Sequence, residues 1–259
     1  MKKTLITFML AAVMIMGVAF SAHAETEGSA SAGAAVMSQY VWRGLILSDK
    51  YVIQPTIDFS YGDFGANFWA NIDSETDELN ETDITASYGK SFDKLSVGVG
   101  YIYYALAAED PDTDSASLVL DTEEIYVSLS YDYLITPTFT YYQDIGEGEA
   151  GGFATLALDW GMDVNEKVGI GVGALASYNN ENLIMGTNED GDKFSDFYHG
   201  EVYGSVSYSE GPFTLELMGA YAKYLSDDSQ YVMEQVSLAT TEDEEDDVFY
   251  YGASLSIGF

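Results

Sequence analysis

Apolar and polar residues alternate along most of this chain with a period of two. The clearest alternation is in the last segment, whose apolar positions are Phe249, Tyr251, Ala253, Leu255, Ile257 and Phe259. The residues between them are mostly small or polar. Such a pattern is typical of β-strands that expose one apolar face, and helical periodicity of comparable strength does not occur. We therefore predict an all-β fold.

The alternation recurs in twelve segments of about ten residues, the length with which a tilted strand crosses a membrane. We predict strands at 34–45, 51–61, 64–73, 83–91, 95–106, 124–133, 137–145, 151–162, 167–178, 197–208, 213–225 and 247–259.

The connections between these segments are alternately short and long. Short turns are predicted at 62–63, 92–94, 134–136, 163–166 and 209–212. Longer connections are predicted at 74–82, 107–123, 179–196 and 226–246, with two shorter ones near Ser48 and Gly148. Outer-membrane barrels show this alternation, with short periplasmic turns and long extracellular loops. The sequence therefore predicts a membrane-spanning, antiparallel, up-and-down β-barrel with both termini in the periplasm; a water-soluble barrel or sandwich is the alternative.

The first 24 residues have the features of a signal peptide. Lys2 and Lys3 precede an apolar stretch from Leu5 to Phe20, and Ala22-His23-Ala24 provides a cleavage site before Glu25. The apolar stretch is short and no stop-transfer charges follow it, which argues against an uncleaved anchor. We expect residues 1–24 to be removed and residues 25–259 to form one barrel domain in the outer membrane of a Gram-negative bacterium.

Composition and charge narrow the possible partners. The formal net charge is −34, and it becomes −36 when Lys2 and Lys3 leave with the leader. A chain this acidic does not bind nucleic acid, which requires a basic surface. Aromatic residues nevertheless make up 14% of the chain, which argues against disorder. Cysteine is absent, so disulfides and thiolate metal sites are excluded. No cofactor is expected.

The acids within the predicted strands fall on the face opposite to the apolar set. Because a carboxylate that faces lipid is costly, this face is expected to be the lumen. The predicted pore-lining acids are Asp58, Asp73, Asp132, Asp144, Asp159, Glu201 and Glu216. Two lysines, Lys90 and Lys223, fall on the lipid side, but each is at a strand end from which its side chain can reach the interface.

Arg43 is the only arginine, and we predict that it also lines the pore. This placement follows from a register that sends Tyr40 and Trp42 outward. In an acidic lumen its expected role is that of an ion-pair partner, with ligand binding as the alternative.

Small residues predominate at the inward positions, and they favour a narrow water-filled pore in a barrel of twelve strands. The small inward residues are Ser96, Gly98, Gly100, Ser128, Ser130, Gly169, Gly171, Gly173, Ser205, Ser207, Gly252, Ser254 and Ser256.

The segment from Ser38 to Gly44 reads Ser-Gln-Tyr-Val-Trp-Arg-Gly and leads to Ser48-Asp49. It resembles the opening of the TorF family of outer-membrane porins, which has a similar Ser-x-Tyr-Val-x-Arg-Gly stretch before Ser-Asp. Gln54, Ile57-Asp58 and Trp69-Ala70-Asn71 are similar to the next two strands of that family. The resemblance covers about the first 45 mature residues and implies a porin-like barrel. This chain departs from the family at Ile46-Leu47 and in its more acidic loops, so a shared substrate does not follow.

The predicted loops are rich in acids. Residues 74–83 include Glu81 and Asp83, and residues 107–124 include Glu124. Two groups have the alternate spacing of calcium ligands, namely Asp110, Asp112 and Asp114, and Asp190 and Asp192. Neither has the distal glutamate of an EF-hand, so a solvated anionic rim is the simpler interpretation, and diffuse binding of divalent cations that bridge to lipopolysaccharide is an intermediate one.

Catalysis has little support in the sequence. The mature chain has one histidine, His199, and lacks the serine pattern of outer-membrane phospholipases. We therefore predict that the protein is not an enzyme.

The final Phe259, on an alternating last strand, resembles the signal that the outer-membrane barrel-assembly machinery reads. Two function classes follow from the sequence as a whole. The first is a porin-like channel for small polar solutes with a preference for cations. The second is a structural or surface-binding barrel, closed to flux, whose acidic loops hold divalent cations or a partner.

Overall fold

The computed structural model describes residues 28–106, 121–146, 150–236 and 247–259. Its strands are β1 (Gly28–Met37), β2 (Tyr40–Trp42), β3 (Leu45–Ser48), β4 (Val52–Tyr61), β5 (Phe64–Asp73), β6 (Glu78–Phe92), β7 (Leu95–Leu106), β8 (Thr122–Tyr131), β9 (Thr136–Asp144), β10 (Gly152–Asp163), β11 (Val168–Asn180), β12 (Ser195–Glu210), β13 (Phe213–Tyr224) and β14 (Asp247–Gly258). A 3₁₀ turn spans Leu183–Met185, and one α-helix, α1, spans Asp227–Val236.

Twelve of these strands, β1 and β4 to β14, form a closed antiparallel barrel. Each strand pairs with its neighbour in the chain, and β1 closes the barrel by pairing with both β4 and β14. The predicted all-β, up-and-down barrel of twelve strands is confirmed. The strand bounds from β7 onward differ from the predicted ones by three residues or fewer, because alternation continues to the strand ends.

The turns that follow β4, β6, β8, β10 and β12 have at most four residues each, and they lie with both barrel termini at one end, which we call the turn end. The connections that follow β1, β5, β7, β9, β11 and β13 start and finish at the other end, the loop end. The connection between β5 and β6 is shorter than predicted, since β6 already begins at Glu78. The predicted leader, 1–24, and much of the acidic loop sequence, including Asp110, Asp112 and Asp114, lie outside the described residues.

The outer face of the barrel is apolar. Ile57, Phe68, Val127, Leu156 and Leu217 are each at least 40% exposed on outward positions of five different strands. Aromatic residues flank this surface at the turn end, where exposed rings belong to Tyr61, Phe64, Phe92, Tyr131, Phe213 and Phe259. An apolar band bordered by aromatic rings is the exterior of a membrane-spanning barrel, because a water-soluble barrel would present polar side chains there. No helix in the described part of the chain is long and apolar enough to cross a membrane.

The first predicted strand, 34–45, is wrong. The barrel strand β1 ends at Met37, and residues 38–50 turn into the lumen, where β2 and β3 form a separate two-stranded sheet. We call residues 38–50 the lumen hairpin. Its two-residue turn consists of Arg43 and Gly44, which both have positive φ, 51° and 86°. That conformation matches a tight hairpin turn and favours glycine at the second position.

Candidate functional site: the barrel lumen

Alternate residues of each barrel strand face the lumen, and the strand pairing shows which residues these are. The predicted acids found on inward positions are Asp58, Asp73, Asp144, Asp159, Glu201 and Glu216. Asp132 is not among them. It follows the end of β8 in an exposed turn, where its amide donates to the carbonyl of Lys94 over 2.7 Å.

The turn-end half of the lumen is lined by small and polar side chains. Hydroxyl groups pair across strands there, as in Thr138 with Ser130 at 3.0 Å. The carboxylate of Asp58 accepts from Asn67 Nδ2 at 2.7 Å and from Ser31 Oγ at 3.2 Å, while remaining partly exposed. Asp159 is also partly exposed and accepts from the Tyr203 hydroxyl at 2.5 Å. This half therefore presents partly exposed carboxylates among hydroxyl groups.

The loop-end half of the lumen is packed. Phe153, Tyr198 and Tyr250 are at most 1% exposed. The barrel wall is a single sheet, so the wall alone cannot cover side chains that point into the lumen. Phe153 lies edge-on to Tyr198 with ring centroids 5.7 Å apart. Packing at this density requires that something fill the centre of the barrel. The narrow water-filled pore that the small residues predicted is therefore wrong for this half.

Two inward glycines that favoured an open pore are covered by neighbouring rings. A methyl group added at Gly100 would overlap the ring of Tyr126, and one at Gly173 would overlap the ring of Tyr203. At these positions glycine lets an aromatic ring lie flat against the wall, so its small size does not leave free space. Sequence alone does not separate these two uses of glycine.

The lumen hairpin fills the centre of the loop-end half. Tyr40, Val41, Trp42, Leu45 and Ile46 are all buried. The expected outward orientation of Tyr40 and Trp42 is wrong, because both rings pack inside the barrel: Tyr40 against Trp69 at 5.7 Å between centroids and Trp42 against Tyr104 at 6.0 Å.

Arg43, at the tip of this hairpin, is held in an aromatic and acidic environment. Its Nη1 and Nη2 donate to the two carboxylate oxygens of Glu124 at 2.9 and 2.6 Å. The guanidinium carbon lies 4.6, 4.7 and 4.5 Å from the ring centroids of Trp42, Tyr142 and Phe153. Bidentate pairing with a carboxylate and contact with aromatic faces are both favourable interactions of a guanidinium group. The structure thus places Arg43 inside the lumen, in an ion pair.

Three carboxylates that the sequence analysis counted with the acidic loop segments, two of them at the first position of a predicted strand, also face the lumen. Glu81 and Asp83 belong to β6, and Glu124 belongs to β8. Glu81 accepts a hydrogen bond from the Tyr40 hydroxyl at 2.5 Å, and Glu124 accepts one from Tyr104 at 2.9 Å. The alternation that identifies the lumen face does extend back from Ser87 through Thr85 to these acids. For Glu81 and Asp83 the signal is this continued alternation on β6; for Glu124 it is the alternation of Glu124 with Tyr126 and Ser128 on β8.

Asp83 differs from the other buried acids. Its side chain is fully buried, and neither carboxylate oxygen has a hydrogen-bond partner among the described residues. It interacts electrostatically with Glu81 and Glu124. Three carboxylates thus interact at the surface where the hairpin meets the wall, and Glu124 among them pairs with the guanidinium of Arg43.

The remaining candidates form no site in the described part of the chain. His199 is buried, with its Nδ1 2.6 Å from Ser177 Oγ, and its ring packs over Gly44. Asp190 and Asp192 are exposed in a turn that Asn188 closes by accepting from the amide of Asp192 at 2.9 Å. No group of three or more histidine or acidic side chains among the described residues is arranged to hold a metal ion.

Several solved outer-membrane proteins are similar to this structure. The KdgM porin matches with a TM-score of 0.54 and 11% identity, over 88% of this chain and 99% of that one. The NanC porin matches with a TM-score of 0.50 and 11% identity, over 89% and 99%. The COG4313 outer membrane channel from Pseudomonas putida F1 matches with a TM-score of 0.50 and 9% identity, over 91% and 97%. At such identities the similarity shows a shared barrel fold.

No protein-family model matches this sequence, and no curated protein matches it significantly. The resemblance to the TorF family is therefore not confirmed.

Proposed function

We propose that the protein is a porin-like channel of the Gram-negative outer membrane that passes small polar solutes and prefers cations. The observation that carries this proposal is the turn-end half of the lumen, where the partly exposed carboxylates of Asp58 and Asp159 lie among hydroxyl groups inside a closed barrel with an apolar exterior. The similarity of fold to porins supports it.

The preference for cations follows from the distribution of charge. Lumen acids Asp58 and Asp159 are partly exposed, and Glu216 faces the same half. Arg43 is the only basic residue that the structure places in the lumen, and Glu124 already neutralises it. The seven basic residues after the leader all lie in the described chain, and the six lysines are exposed at turns, loops or outward positions. Rings of acidic side chains raise the local concentration of cations.

The reversal potential across a planar bilayer in a potassium chloride gradient tests this preference. We expect a cation-selective value that moves towards zero in the triple variant Asp58→Asn, Asp159→Asn, Glu216→Gln. The matched control, Asp93→Asn, Asp132→Asn, Glu166→Gln, removes the same charge from exposed turns and should shift the value less, because salt screens those charges with a Debye length of about 10 Å at 0.1 M. Anion selectivity of the unaltered protein would refute the preference.

We also propose that Phe259 is an assembly signal for the outer-membrane barrel-assembly machinery and that lipopolysaccharide surrounds the loop end of the barrel. Phe259 is 75% exposed, and its amide donates to the carbonyl of Ala30 over 2.8 Å, so its ring is available while its backbone completes the seam. Deleting Phe259 should leave unassembled chains in the periplasm, whereas Phe259→Tyr should assemble normally. Fractionation of the cell envelope and the heat-modifiable mobility of the folded barrel measure both; normal yield of the deletion variant would contradict the proposal.

A further inference from the structure

We infer that the lumen hairpin is a gate that leaves the loop-end half of the barrel when the channel opens, and that the Arg43–Glu124 pair is its latch. This inference rests on the proposed channel function. It follows from how the hairpin is attached, from how its tip is held and from one acid at its surface.

The hairpin is attached to the barrel wall almost entirely by side chains. β2 and β3 pair with each other and with no barrel strand in the described structure. The backbone bonds at its two ends are those from Ser38 N to Tyr251 O, at 2.8 Å, and from Ser74 N to Tyr51 O, at 3.3 Å. The hairpin can therefore leave the lumen without breaking any strand pairing of the barrel. A wall strand cannot do so, because it would leave two rows of unpaired backbone groups.

Few polar contacts hold the hairpin in place. Arg43 pairs with Glu124, Tyr40 donates to Glu81, and the Tyr224 hydroxyl donates to the carbonyl of Gly44. The pair with Glu124 is the only one with two opposite charges. Breaking such a buried pair by removing one partner leaves the other charge without compensation, which strongly disfavours the closed arrangement.

Asp83 has the opposite effect on the equilibrium between the closed and the open hairpin. With the hairpin inside, its carboxylate is buried without a donor and interacts with Glu81, Glu124, Tyr40 and Tyr104. With the hairpin outside, water reaches it. An unsatisfied buried acid is costly, so Asp83 favours the open arrangement, while the latch favours the closed one.

Two substitutions that each remove one carboxylate from this surface therefore have opposite effects. Glu124→Gln should raise the ratio of open to closed single channels by roughly two to four orders of magnitude, the range that corresponds to removing one partner of a buried ion pair. Asp83→Asn should lower it. The charge-swapped variant Arg43→Glu with Glu124→Arg should return the open fraction towards that of the unaltered protein. Lys50→Gln, which breaks the exposed pair with Asp49 on the same hairpin, is the matched control and should change nothing.

Replacing residues 39–50 by a short Gly-Ser turn provides the second test and separates the gate from the channel. Heat-modifiable mobility first shows that each variant is folded. A permanently conducting shortened barrel supports the gate. Equal conductance of the shortened and unaltered barrels overturns the gate but leaves the channel intact. A shortened, folded barrel that passes no ions overturns the channel itself. Shifts of Glu124→Gln and Asp83→Asn in the same direction would overturn the latch.

Discussion

The two halves of the lumen are built on the same twelve strands but are filled differently. In the turn-end half, inward serines, threonines and carboxylates line the wall, and Asp58 and Asp159 stay partly exposed. In the loop-end half, inward tyrosines and phenylalanines meet the lumen hairpin, and Phe153 and Tyr198 are completely buried. The wall alone thus does not determine whether a barrel encloses water or a core. That depends on whether a connecting segment folds inward.

The difference between the two halves also changes what a charged side chain does. Asp159 in the turn-end half has one hydrogen-bond donor and access to water. Glu124 in the loop-end half is buried and is held by a guanidinium and a tyrosine hydroxyl. In the proposed channel, Asp159 is thus positioned to act on ions in the lumen, whereas Glu124 binds the hairpin.

The largest expected effect on stability comes from truncating the packed half. Phe153→Ala should reduce the free energy of unfolding by about 3–5 kcal/mol, since a buried ring leaves a cavity among side chains that cannot close around it. Thr138→Ala in the turn-end half should change it by about 0.5 kcal/mol or less. Urea unfolding in lipid vesicles, followed by tryptophan fluorescence, measures both. Equal losses would show that the two halves are packed alike.

Glycine substitutions should give an intermediate effect, and they compare a glycine that a ring covers with one that faces open space. Gly173→Ala places a methyl group against the ring of Tyr203 and should cost about 1–3 kcal/mol through overpacking. At Gly258, by contrast, an added methyl group meets no atom within 4 Å. Gly258→Ala should therefore be close to neutral in the same unfolding experiment. A neutral Gly173→Ala would mean that the Tyr203 ring moves away freely.

The smallest effect is expected at the exposed ion pairs of the turn end. Lys90 Nζ donates to Asp63 at 3.2 Å, and together with the Tyr88 hydroxyl it lowers the pKa of the Asp63 carboxyl below its ordinary value. A lowered carboxyl pKa stabilises the folded state above the unfolded-state pKa, and this contribution is lost as pH falls through the folded-state value. Unfolding of the unaltered protein and Lys90→Gln should thus differ slightly at neutral pH and converge in acid.

Lys94→Gln is the control for this pH dependence, because the Lys94 ammonium lies 5.1 Å from the ring of Tyr133 and pairs with that ring. Its small effect should not vary with pH in the acidic range. A difference for Lys90→Gln that persists below the range in which carboxyl groups titrate would contradict the assignment to Asp63.

The period-two alternation predicted the barrel because every strand has one side that faces lipid and must be apolar. The alternation is clearest in the segments 95–106 and 249–259, which form β7 and most of β14. The inward acids were identified for the same reason: a carboxylate such as Glu201 or Asp58 is excluded from lipid, so its parity is informative.

The lumen hairpin could not be identified in this way. Tyr40 and Trp42 continue the alternation of a membrane strand, but their rings pack into a core inside the barrel and not against lipid. An alternating apolar pattern does not tell whether the apolar side chains face lipid or such a core. The turn signal was the pair Arg43-Gly44, which is weak because arginine seldom adopts positive φ. Helix α1 was missed as well, since its acidic sequence near Asp227 resembles the neighbouring loop.

The position of the hairpin in the chain constrains the order in which the barrel folds. The seam pairs Met37 with Gly252, residues from opposite ends of the barrel domain, so its closure is expected to be slow. A hairpin with a two-residue turn forms locally within microseconds. Val41 and Ile46 can therefore meet on one short element before the wall that buries them is complete, and we expect the last strand to close the barrel around a hairpin that is already paired.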